Sequence, residues 1–423
     1  MNLRIRPSTG LSGSYEIPGD KSISHRALMV ASLATGTSEI VGGSGAQDPR
    51  STQQCLIDLG VPIETRDNAR VVRGSGLKGF RASARPLDAG NSGTTMRLLS
   101  GIMSGQDFPS VIVGDESLSK RPMRRILDPL REMGAEISGT SAGTAPLRIS
   151  PSGRLHGIRY ESAVPSAQVK SAILLAGLYA EGRTEVVERI PTRDHTERML
   201  GLRPERRGDS VVVAVQGGTG PEPRQFLIPG DFSAAMYLLV AALIVPHSSL
   251  TVKNVGINPT RAAALNILRD MNGNIEVLDQ RQNAGEPVAD IRAQSSSLRS
   301  DITLGKREVS ALIDEIPILA IAALFAEGTM SVRSAEELRN KESDRIAALV
   351  RNIRALGNEV EEYTDGFAFE SKRNLIGATI ESFGDHRIAM AFGVAGLALP
   401  RVEIRDSDCV DISFPGFWKT IGA

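Results

Sequence analysis

The chain has 423 residues, which is enough for two domains of ordinary globular composition. It contains 49 Lys and Arg against 49 Asp and Glu, and aromatic residues make up only 4% of it, so neither charge nor base-stacking residues indicate nucleic-acid binding. Apolar runs such as 236–245 are too short to span a bilayer, and the first residues lack the apolar core of a signal peptide. We therefore expect neither a nucleic-acid nor a membrane partner.

The cysteines and histidines give no sign of a metal site or a disulfide. Cys55 and Cys409 lie far apart in the sequence and form no CxxC motif. His25, His195 and His386 lack the spacing of metal ligands. These residues predict no bound metal and a reducing, cytoplasmic location.

In chain order, the first strong pattern is a helix-opening segment that occurs six times. Each copy begins with a polar turn containing Gly, Asp or Ser, continues as an apolar helix and ends at or near a glycine. Asp and Ser at such positions accept hydrogen bonds from the first N–H groups of a helix. We predict six buried helices, with only their first turns near solvent. The copies begin at Gly19, Gly90, Ser166, Gly230, Asp314 and Gly384.

Other elements recur between these copies. A β-branched run follows each buried helix, and apolar residues three or four apart predict amphipathic helices at 121–133, 259–271 and 341–356. Residues 358–370 alternate like two strands around an Asp-Gly turn. The repeat is therefore strand, helix, strand, helix and strand pair, with a short second helix in the third copy. The prediction is an α/β protein with three βαβαββ units in each half.

The boundary between the halves is expected near residues 229–230. The strand before Lys21 would most economically complete the C-terminal half. The predicted domains are 21–229, and 1–20 together with 230–423.

Cationic residues gather at the predicted helix starts. The segment GDKS resembles a P-loop only weakly, because it lacks the earlier glycine and Asp20 separates Gly19 from Lys21. A helix N-terminus disfavours cations unless an anion is bound there, although such charges can also form ordinary ion-pair networks. The number of these clusters in a neutral chain favours a small polyanionic ligand. Their members are Lys21, Arg26, Lys120, Arg121, Arg124, Arg125, Lys341, Arg345, His386 and Arg387.

Carboxylates supply candidate acid–base groups. Asp314 and Glu315 open an apolar helix, where either could simply cap, and Glu342 follows Lys341. The chain has no GxSxG motif and no Cys-His pair, so nucleophilic serine or cysteine chemistry is not indicated.

Eight segments in this order resemble the 5-enolpyruvylshikimate-3-phosphate synthase family, in the bacterial type with SAQ and RDHTE motifs. They are PGDKSISHRAL, AGNSGTTMRLLSG, LSKRPMRR, PSAQVKSAILLAGLYAEG, RDHTERML, IDEIPILA, LRNKESDRI and GDHRIAMA. The resemblance runs over essentially the whole chain. It implies the two-lobed enolpyruvyl transferase fold, an inside-out α/β barrel with three βαβαββ units per lobe, and an active site in the interlobe cleft.

The activity that the resemblance implies is a step toward chorismate and the aromatic amino acids. The family transfers the enolpyruvyl group of phosphoenolpyruvate to the 5-hydroxyl of shikimate 3-phosphate and releases phosphate, without a cofactor or a metal. A cytoplasmic monomer acting on these small molecules is the corresponding expectation.

The resemblance also assigns site residues by position. Shikimate 3-phosphate would be bound by Lys21, Ser22, Arg26, Ser166, Ala167, Gln168, Arg193, Asp314 and Lys341. Phosphoenolpyruvate would be bound by Lys21, Asn91, Gly93, Arg121, Gln168, Glu342, Arg345 and Arg387. The implied catalytic residues are Asp314 as base for the hydroxyl, Glu342 for proton transfer at carbon 3, and Lys21 with His386 at the leaving phosphate.

Two positions bear on how this chain compares with its relatives. Ile412 stands before SFP where enterobacterial relatives carry a lysine, so that contact with phosphoenolpyruvate is missing or replaced. Gly93 is retained where some herbicide-tolerant relatives carry alanine. The second observation predicts inhibition by glyphosate, which occupies the phosphoenolpyruvate site in this family.

The sequence leaves two other interpretations open. The UDP-N-acetylglucosamine enolpyruvyl transferases share the fold and the donor, but they usually have a cysteine before the RP-type helix and asparagine after the first lysine. This chain has GDESLSKRPM and Ser22 at those places. A non-catalytic protein that binds anionic metabolites is the alternative of a different class, and the presence of every candidate catalytic residue argues against it.

Overall fold

The computed structural model describes residues 1–423 and divides the chain into two compact units. The N-terminal lobe is Gly19–Ile228, and the C-terminal lobe is Met1–Pro18 together with Pro229–Ala423. Each lobe has its own hydrophobic core.

Short strands in both lobes form six small sheets. The strands before the N-terminal lobe are β1 (Leu3–Arg4) and β2 (Ser12–Tyr15). Those of the N-terminal lobe are β3 (Thr35–Val41), β4 (Ile63–Arg66), β5 (Ala69–Ser75), β6 (Leu87–Asp88), β7 (Ser110–Val113), β8 (Glu136–Ser138), β9 (Leu147–Ser150), β10 (Arg159–Glu161), β11 (Arg183–Glu188), β12 (Glu205–Arg207), β13 (Ser210–Gln216) and β14 (Gln225–Leu227). The remaining strands are β15 (Ser249–Gly256), β16 (Asn274–Asn283), β17 (Glu286–Gln294), β18 (Arg299–Leu304), β19 (Glu327–Val332), β20 (Glu361–Tyr363), β21 (Gly366–Glu370), β22 (Thr379–Glu381) and β23 (Glu403–Arg405).

All six sheets follow one plan, a parallel pair extended by antiparallel pairing. The orders are β14-β3-β5-β4, β6-β7-β9-β8 and β10-β11-β13-β12 in the N-terminal lobe. They are β16-β17-β15-β2, β18-β19-β21-β20 and β1-β23-β22 in the C-terminal lobe. Two parallel strands need a crossover, which runs through a buried helix in four of the sheets, whereas the pairs β14–β3 and β2–β15 join strands that are far apart in the chain. The predicted βαβαββ unit is confirmed, and so is the hairpin of β20 and β21.

Strands from the ends of the lobes complete the repeats. The strand β2 pairs in parallel with β15, and β1 pairs antiparallel with β23. Similarly, β14 pairs in parallel with β3 at the other end of the N-terminal lobe. The last repeat departs from the plan because β1 is its only antiparallel strand, so its sheet has 3 strands.

Six helices are buried along nearly their whole length, as their apolar sequences predict. These are α1 (Lys21–Leu33), α3 (Gly93–Met103), α5 (Ala167–Gly177), α7 (Phe232–Ile244), α10 (Ile316–Leu324) and α12 (His386–Ala398). The other helices are α2 (Gln47–Asp58), α4 (Arg124–Glu132), α6 (His195–Leu200), α8 (Ala263–Asp270), α9 (Lys306–Leu312), α11 (Arg345–Ala355) and α13 (Phe417–Thr420). Three 3₁₀ turns lie at Leu118–Lys120, Glu336–Asn340 and Ser407–Ile412. None of these helices has both the length and the apolar character that a membrane span requires.

Three predicted helix starts were wrong by three or four residues. The helices α4, α8 and α11 begin at Arg124, Ala263 and Arg345. In the first case Pro122 disfavours helical backbone at the preceding residue, and Arg121 is extended. In the last case Asp344 caps the helix by accepting from the Ala347 N–H at 3.0 Å. Arg121 and Lys341 therefore lie before these helices and not in their first turns.

Candidate active site

In the N-terminal lobe, Lys21 begins a buried helix and already has an acidic partner. Asp20 caps α1 by accepting from the Ile23 N–H at 2.8 Å, which leaves Lys21 and Ser22 as the first helical residues. The Lys21 ammonium lies 2.9 Å from Asp48 in the first turn of α2. Because a helix N-terminus carries a partial positive charge, this lysine adds to a field that attracts anions. Asp48 was not predicted from the sequence as part of this region.

Arg26 connects three helices from the same region. Its guanidinium donates to Thr196 Oγ1 at 2.8 Å and Ser171 Oγ at 3.0 Å, and also to the Ser22 carbonyl at 3.0 Å. The side chain is buried. These bonds fix its orientation between α1, α5 and α6.

The first turn of α5 is joined to α3 by the side chain of Gln168. Ser166 caps α5, so Ala167 and Gln168 are its first residues. Gln168 accepts from Arg97 at 2.6 Å and donates to Thr94 Oγ1 at 2.9 Å. The first N–H groups of a helix have no partner within the helix, so this turn supplies donors suited to a phosphate.

Arg193 lies half-buried in the segment between β11 and α6, which a buried ion cluster anchors. Lys170 of α5 lies 2.7 Å from Glu188 and 2.6 Å from Glu197. Burial opposes the charge on Lys170, but the two glutamates outweigh it and raise its pKa. Thr192 donates to Glu188 as well. This cluster was not predicted from the sequence, although a lysine inside an apolar helix indicates a buried partner.

The start of α3 presents Asn91 and Gly93 beside Arg121. Arg121 donates to Asn91 Oδ1 at 2.7 Å, and Asn91 donates to Asp115 at 2.7 Å. A Cβ at Gly93 would lie 2.6 Å from the Arg97 guanidinium and 3.6 Å from that of Arg121, so glycine leaves room for Arg97 in its present position. The three predicted residues therefore lie together, with Arg121 on extended backbone.

A buried chain of hydroxyl groups connects α1 to the cap of α3. His25 Nδ1 lies 2.6 Å from Thr52 Oγ1, which lies 2.7 Å from Thr95 Oγ1. Thr95 in turn donates to Ser92 Oγ, the cap of α3, at 2.7 Å. Burial, and then the charges of Lys21 and Arg26, hold the pKa of His25 well below its usual value, so it is neutral at pH 7.

In the C-terminal lobe, Asp314 is surrounded by arginines. Its Oδ1 lies 3.7 Å from Arg345, and its Oδ2 lies 3.7 Å from both Arg387 and Arg261. Arg387 also donates to the Asp314 carbonyl at 2.9 Å. Glu315 is the N-cap residue of α10, but its side chain makes no capping hydrogen bond, so the interpretation of this carboxylate as a simple cap is wrong. The arginines favour the ionised carboxylate of Asp314.

Arg345 is held by two further carboxylates. It donates to Asp385 at 2.8 Å and to Glu342 at 2.5 Å. Burial opposes its charge, but these carboxylates outweigh burial and keep the pKa of Arg345 above its usual value. Burial would raise the pKa of Asp385, but the positive charge of Arg345 has the larger effect, so that the pKa is lowered. Asp385 also caps α12, directly before His386 and Arg387.

Lys341 and His386 complete the group, and Ile412 adds no charge. Burial lowers the pKa of Lys341 despite Glu337, whose carboxylate is 3.5 Å away. His386 is buried in the first turn of α12. Ile412 ends a 3₁₀ turn with its side chain half-buried.

Comparison with known proteins places this architecture in a family. The family model described as EPSP synthase (3-phosphoshikimate 1-carboxyvinyltransferase) matches residues 5–421. The chain belongs to the EPSP synthase family. The 3-phosphoshikimate 1-carboxyvinyltransferase of Desulforudis audaxviator is 50% identical over 427 residues, which cover 99% of this chain and 98% of that protein. The enzyme of the same name from Salinibacter ruber is 48% identical over 422 residues, with coverage of 99% and 98%.

The fold agrees with this membership. A solved EPSP synthase from Acinetobacter baumannii superimposes with a TM-score of 0.87 at 41% identity, covering 100% of this chain and 97% of that one. The predicted enolpyruvyl transferase fold is confirmed. Within this EPSP synthase fold, each lobe gathers its own share of the predicted residues. The N-lobe cluster comprises Lys21, Ser22, Arg26, Asn91, Gly93, Arg121, Ser166, Ala167, Gln168 and Arg193; the C-lobe cluster comprises Asp314, Lys341, Glu342, Arg345, His386 and Arg387.

Proposed function

We propose that this protein is a 3-phosphoshikimate 1-carboxyvinyltransferase, which transfers the enolpyruvyl group of phosphoenolpyruvate to the 5-hydroxyl of shikimate 3-phosphate and releases phosphate. The observation that carries the proposal is the gathering of cationic and hydroxyl side chains at the first turns of buried helices. Both substrates carry a phosphate and a carboxylate, and such turns bind these groups. Membership of the EPSP synthase family supplies the reaction.

The N-lobe cluster is proposed to bind shikimate 3-phosphate. Ser22, Ser166 and Ala167 would offer first-turn donors to its phosphate, together with Lys21. Arg26 and Arg193 supply guanidinium groups, and the hydrogen bonds that fix Arg26 reduce the entropy lost on binding. Gln168 would contact both substrates, while Asp314 and Lys341 would bind the ring hydroxyls.

Phosphoenolpyruvate is proposed to bind through arginine side chains at the predicted positions. Paired guanidinium donors match carboxylate and phosphate geometry. Because glycine has no side chain, Gly93 allows the ligand to approach the backbone closely. The proposed contacts are Lys21, Asn91, Gly93, Arg121, Gln168, Glu342, Arg345 and Arg387.

The proposed reaction adds and then removes a proton at carbon 3. Glu342 delivers a proton to carbon 3 while carbon 2 gains cationic character. Asp314 accepts the proton of the 5-hydroxyl as its oxygen bonds to carbon 2. Phosphate then leaves carbon 2 and is protonated by Lys21, with His386 assisting. A proton returns from carbon 3 to Glu342, and the enol ether remains. Each acid–base role contributes a factor of about 100 to 10,000 in rate.

The location and assembly are also proposals. The reaction as written balances with protein groups alone and calls for no cofactor. Cys55 and Cys409 are both free thiols, in keeping with a cytoplasmic location. We propose that the enzyme works there as a monomer.

The test is phosphate release from phosphoenolpyruvate with each of two acceptors, shikimate 3-phosphate and UDP-N-acetylglucosamine. Release with shikimate 3-phosphate alone is expected. Release with the nucleotide sugar alone would leave the fold and the donor in place but refute the acceptor. Absence of release with both, in a sample with a cooperative unfolding transition, would refute the activity.

A further inference from the structure

Arg261 is a buried arginine of the C-terminal lobe that belongs to none of the motifs recognised in the sequence. It ends the turn Asn258-Pro259-Thr260-Arg261 before α8. Asn258 Oδ1 accepts from the Thr260 N–H at 3.0 Å and its hydroxyl at 2.8 Å, and the Arg261 N–H donates to the Asn258 carbonyl at 2.8 Å. These bonds fix the backbone from which the side chain extends, and that side chain is only 3% exposed.

The guanidinium of Arg261 faces the first turns of two buried helices. It donates to Ser233 Oγ in α7 at 2.7 Å and lies 3.6 Å from Asp231, the cap of α7. It also lies 3.7 Å from Asp314 Oδ2 and 3.5 Å from Glu315 Oε1, the two residues before α10. One planar cation therefore touches four polar groups from two segments far apart in the chain.

Two roles could explain this arrangement. Arg261 could serve only to neutralise Glu315, which is fully buried and also accepts from Ser233. The contact with Asp314 points to more. Without Arg261, Asp314 Oδ2 would lose a cation at 3.7 Å, while Arg387 would still face Oδ2 and Arg345 would still face Oδ1. The carboxylate would then lose the cation that faces it from the α7 side.

We propose that Arg261 is a positioning residue for catalysis, which holds the Asp314 carboxylate ionised and oriented toward the acceptor hydroxyl. The proposal rests on the function proposed above, in which Asp314 accepts the hydroxyl proton. The proposal predicts that removing Arg261 changes the pH dependence of kcat, because a carboxylate with fewer neighbouring cations protonates at higher pH. The charged groups around Asp314 are Arg261, Arg345, Arg387, Lys341 and Glu315.

The experiment separates the two roles by removing the buried charges together. Arg261→Gln/Glu315→Gln lacks both members of the pair, and Glu315→Gln alone is its reference, since it keeps Arg261 beside Asp314. Arg269→Gln, at an exposed position on α8, is the matched control and should retain wild-type turnover. Each variant is measured for kcat against pH with both substrates, and for its affinity for shikimate 3-phosphate by calorimetry.

If Arg261 positions Asp314, the double variant has a kcat about tenfold or more below Glu315→Gln, since small displacements of a reacting group cost up to about 100-fold. The acidic limb of its kcat–pH profile lies at higher pH than that of Glu315→Gln. The double variant also binds shikimate 3-phosphate more weakly. Equal kcat, pH profile and affinity in the two would overturn the proposal and leave Arg261 as a partner of Glu315 only.

Folding and function are controlled separately. If the double variant loses its cooperative thermal transition, Arg261→Lys takes its place, because it keeps the charge but cannot bridge Ser233 and both carboxylates. A reduced kcat in that variant is expected, and an unchanged one overturns the proposal. Wild-type turnover in the same assay tests the proposed function itself. If the wild type were inactive, the calorimetric affinities would still decide whether Arg261 acts on the Asp314 contact.

Discussion

At the scale of single residues, Gly93 controls the space in which a small anion would meet the N-lobe cluster. A Cβ there would lie 2.6 Å from the Arg97 guanidinium, which cannot stay in place at that distance. Arg97 donates to Gln168 at 2.6 Å, so its displacement also disturbs the start of α5. The effect of a single methyl group would therefore extend to a residue proposed to contact both substrates.

We predict that glyphosate inhibits the wild-type enzyme competitively with phosphoenolpyruvate and that Gly93→Ala weakens both ligands. The KM for phosphoenolpyruvate should rise about tenfold, within the range that small displacements of site groups produce. The concentration of glyphosate that halves the rate should rise as well. Gly45→Ala, where an added Cβ meets nothing closer than 4.0 Å, is the control. No inhibition of the wild type at glyphosate concentrations comparable to the substrate would refute the prediction.

The buried pair of Arg345 and Asp385 predicts a pH-dependent stability. Arg345 holds the pKa of Asp385 below its usual 3.8, although burial opposes this. The depressed pKa stabilises the fold above pH 3.8, and that stabilisation is lost as the pH falls through the lower, folded-state pKa. Asp385→Asn should therefore lower the free energy of unfolding at pH 7 by about 3–5 kcal/mol, because it leaves Arg345 buried without its main partner.

Urea denaturation at pH 7 and below pH 3.8 checks this prediction. The difference between wild type and Asp385→Asn should shrink at the lower pH. Glu359→Gln, whose carboxylate is 91% exposed and pairs with Lys372, should change stability by less than about 0.5 kcal/mol. A constant difference at all pH values would mean that the pair does not titrate as described.

Sequence reasoning located residues in helix-opening motifs better than their partners. Lys21, Arg26 and Arg387 follow capping residues that the sequence makes visible. Arg261 was missed because its partners at positions 231, 233, 314 and 315 come together only through the packing of α7, α8 and α10. Asp48 was missed because Lys21 and Asp48 are separated by 27 positions and a whole strand. Long-range pairs of this kind leave no local pattern.

At the scale of elements, the six buried helices were predictable, but some starts of the outer helices were not. The predicted helices include 121–123 and 341–344, although 341–344 contains no apolar residue and the apolar stripe of that helix begins only at Ile346. In the structure these helices begin later than predicted because of local signals. The Arg121-Pro122 step precedes α4, and Asp344 caps α11. Both signals are present in the sequence, and both outrank the apolar stripe.

Glycines inside the buried helices let these helices pack closely. In α3, a Cβ at Gly101 would lie 2.2 Å from the carbonyl oxygen of Ala172 in α5. In α12, a Cβ at Gly396 would lie 2.7 Å from the side chain of Ile5. The first contact is with backbone, which cannot move without separating the two helices.

Gly101→Ala should therefore destabilise the protein even though alanine favours helix by about 1 kcal/mol. Overpacking a core typically costs about 1–3 kcal/mol, and a backbone contact places this site at the upper end. The expected net loss is about 1–2 kcal/mol, measured as a lower urea midpoint at unchanged slope. Gly45→Ala again serves as the control. A midpoint equal to or above that of the wild type would show that α3 and α5 can adjust freely.

At the scale of the whole molecule, a net charge of +0 conceals two local concentrations of positive charge. In the N-terminal lobe Lys21 and Arg26 lie on α1, and Arg121 lies beside Asn91 before the start of α3; in the C-terminal lobe Arg345 and Arg387 face a single aspartate. The neutral composition predicts no nucleic-acid partner, but it could not reveal these clusters. Recognition of the motifs indicated them, and the folding of repeats with the same plan brings their members together.

The most direct measurement is the enolpyruvyl transfer reaction run in D₂O with phosphoenolpyruvate and shikimate 3-phosphate, with the product examined by NMR. We expect an enol ether at the 5-oxygen whose methylene carbon carries deuterium. Deuterium enters because Glu342, exchanged with solvent, adds it to carbon 3, and one of the three hydrogens of the resulting methyl group is later removed. A product without deuterium would contradict proton addition at carbon 3, and absence of the product from a folded, active-site-intact sample would contradict the proposed activity itself.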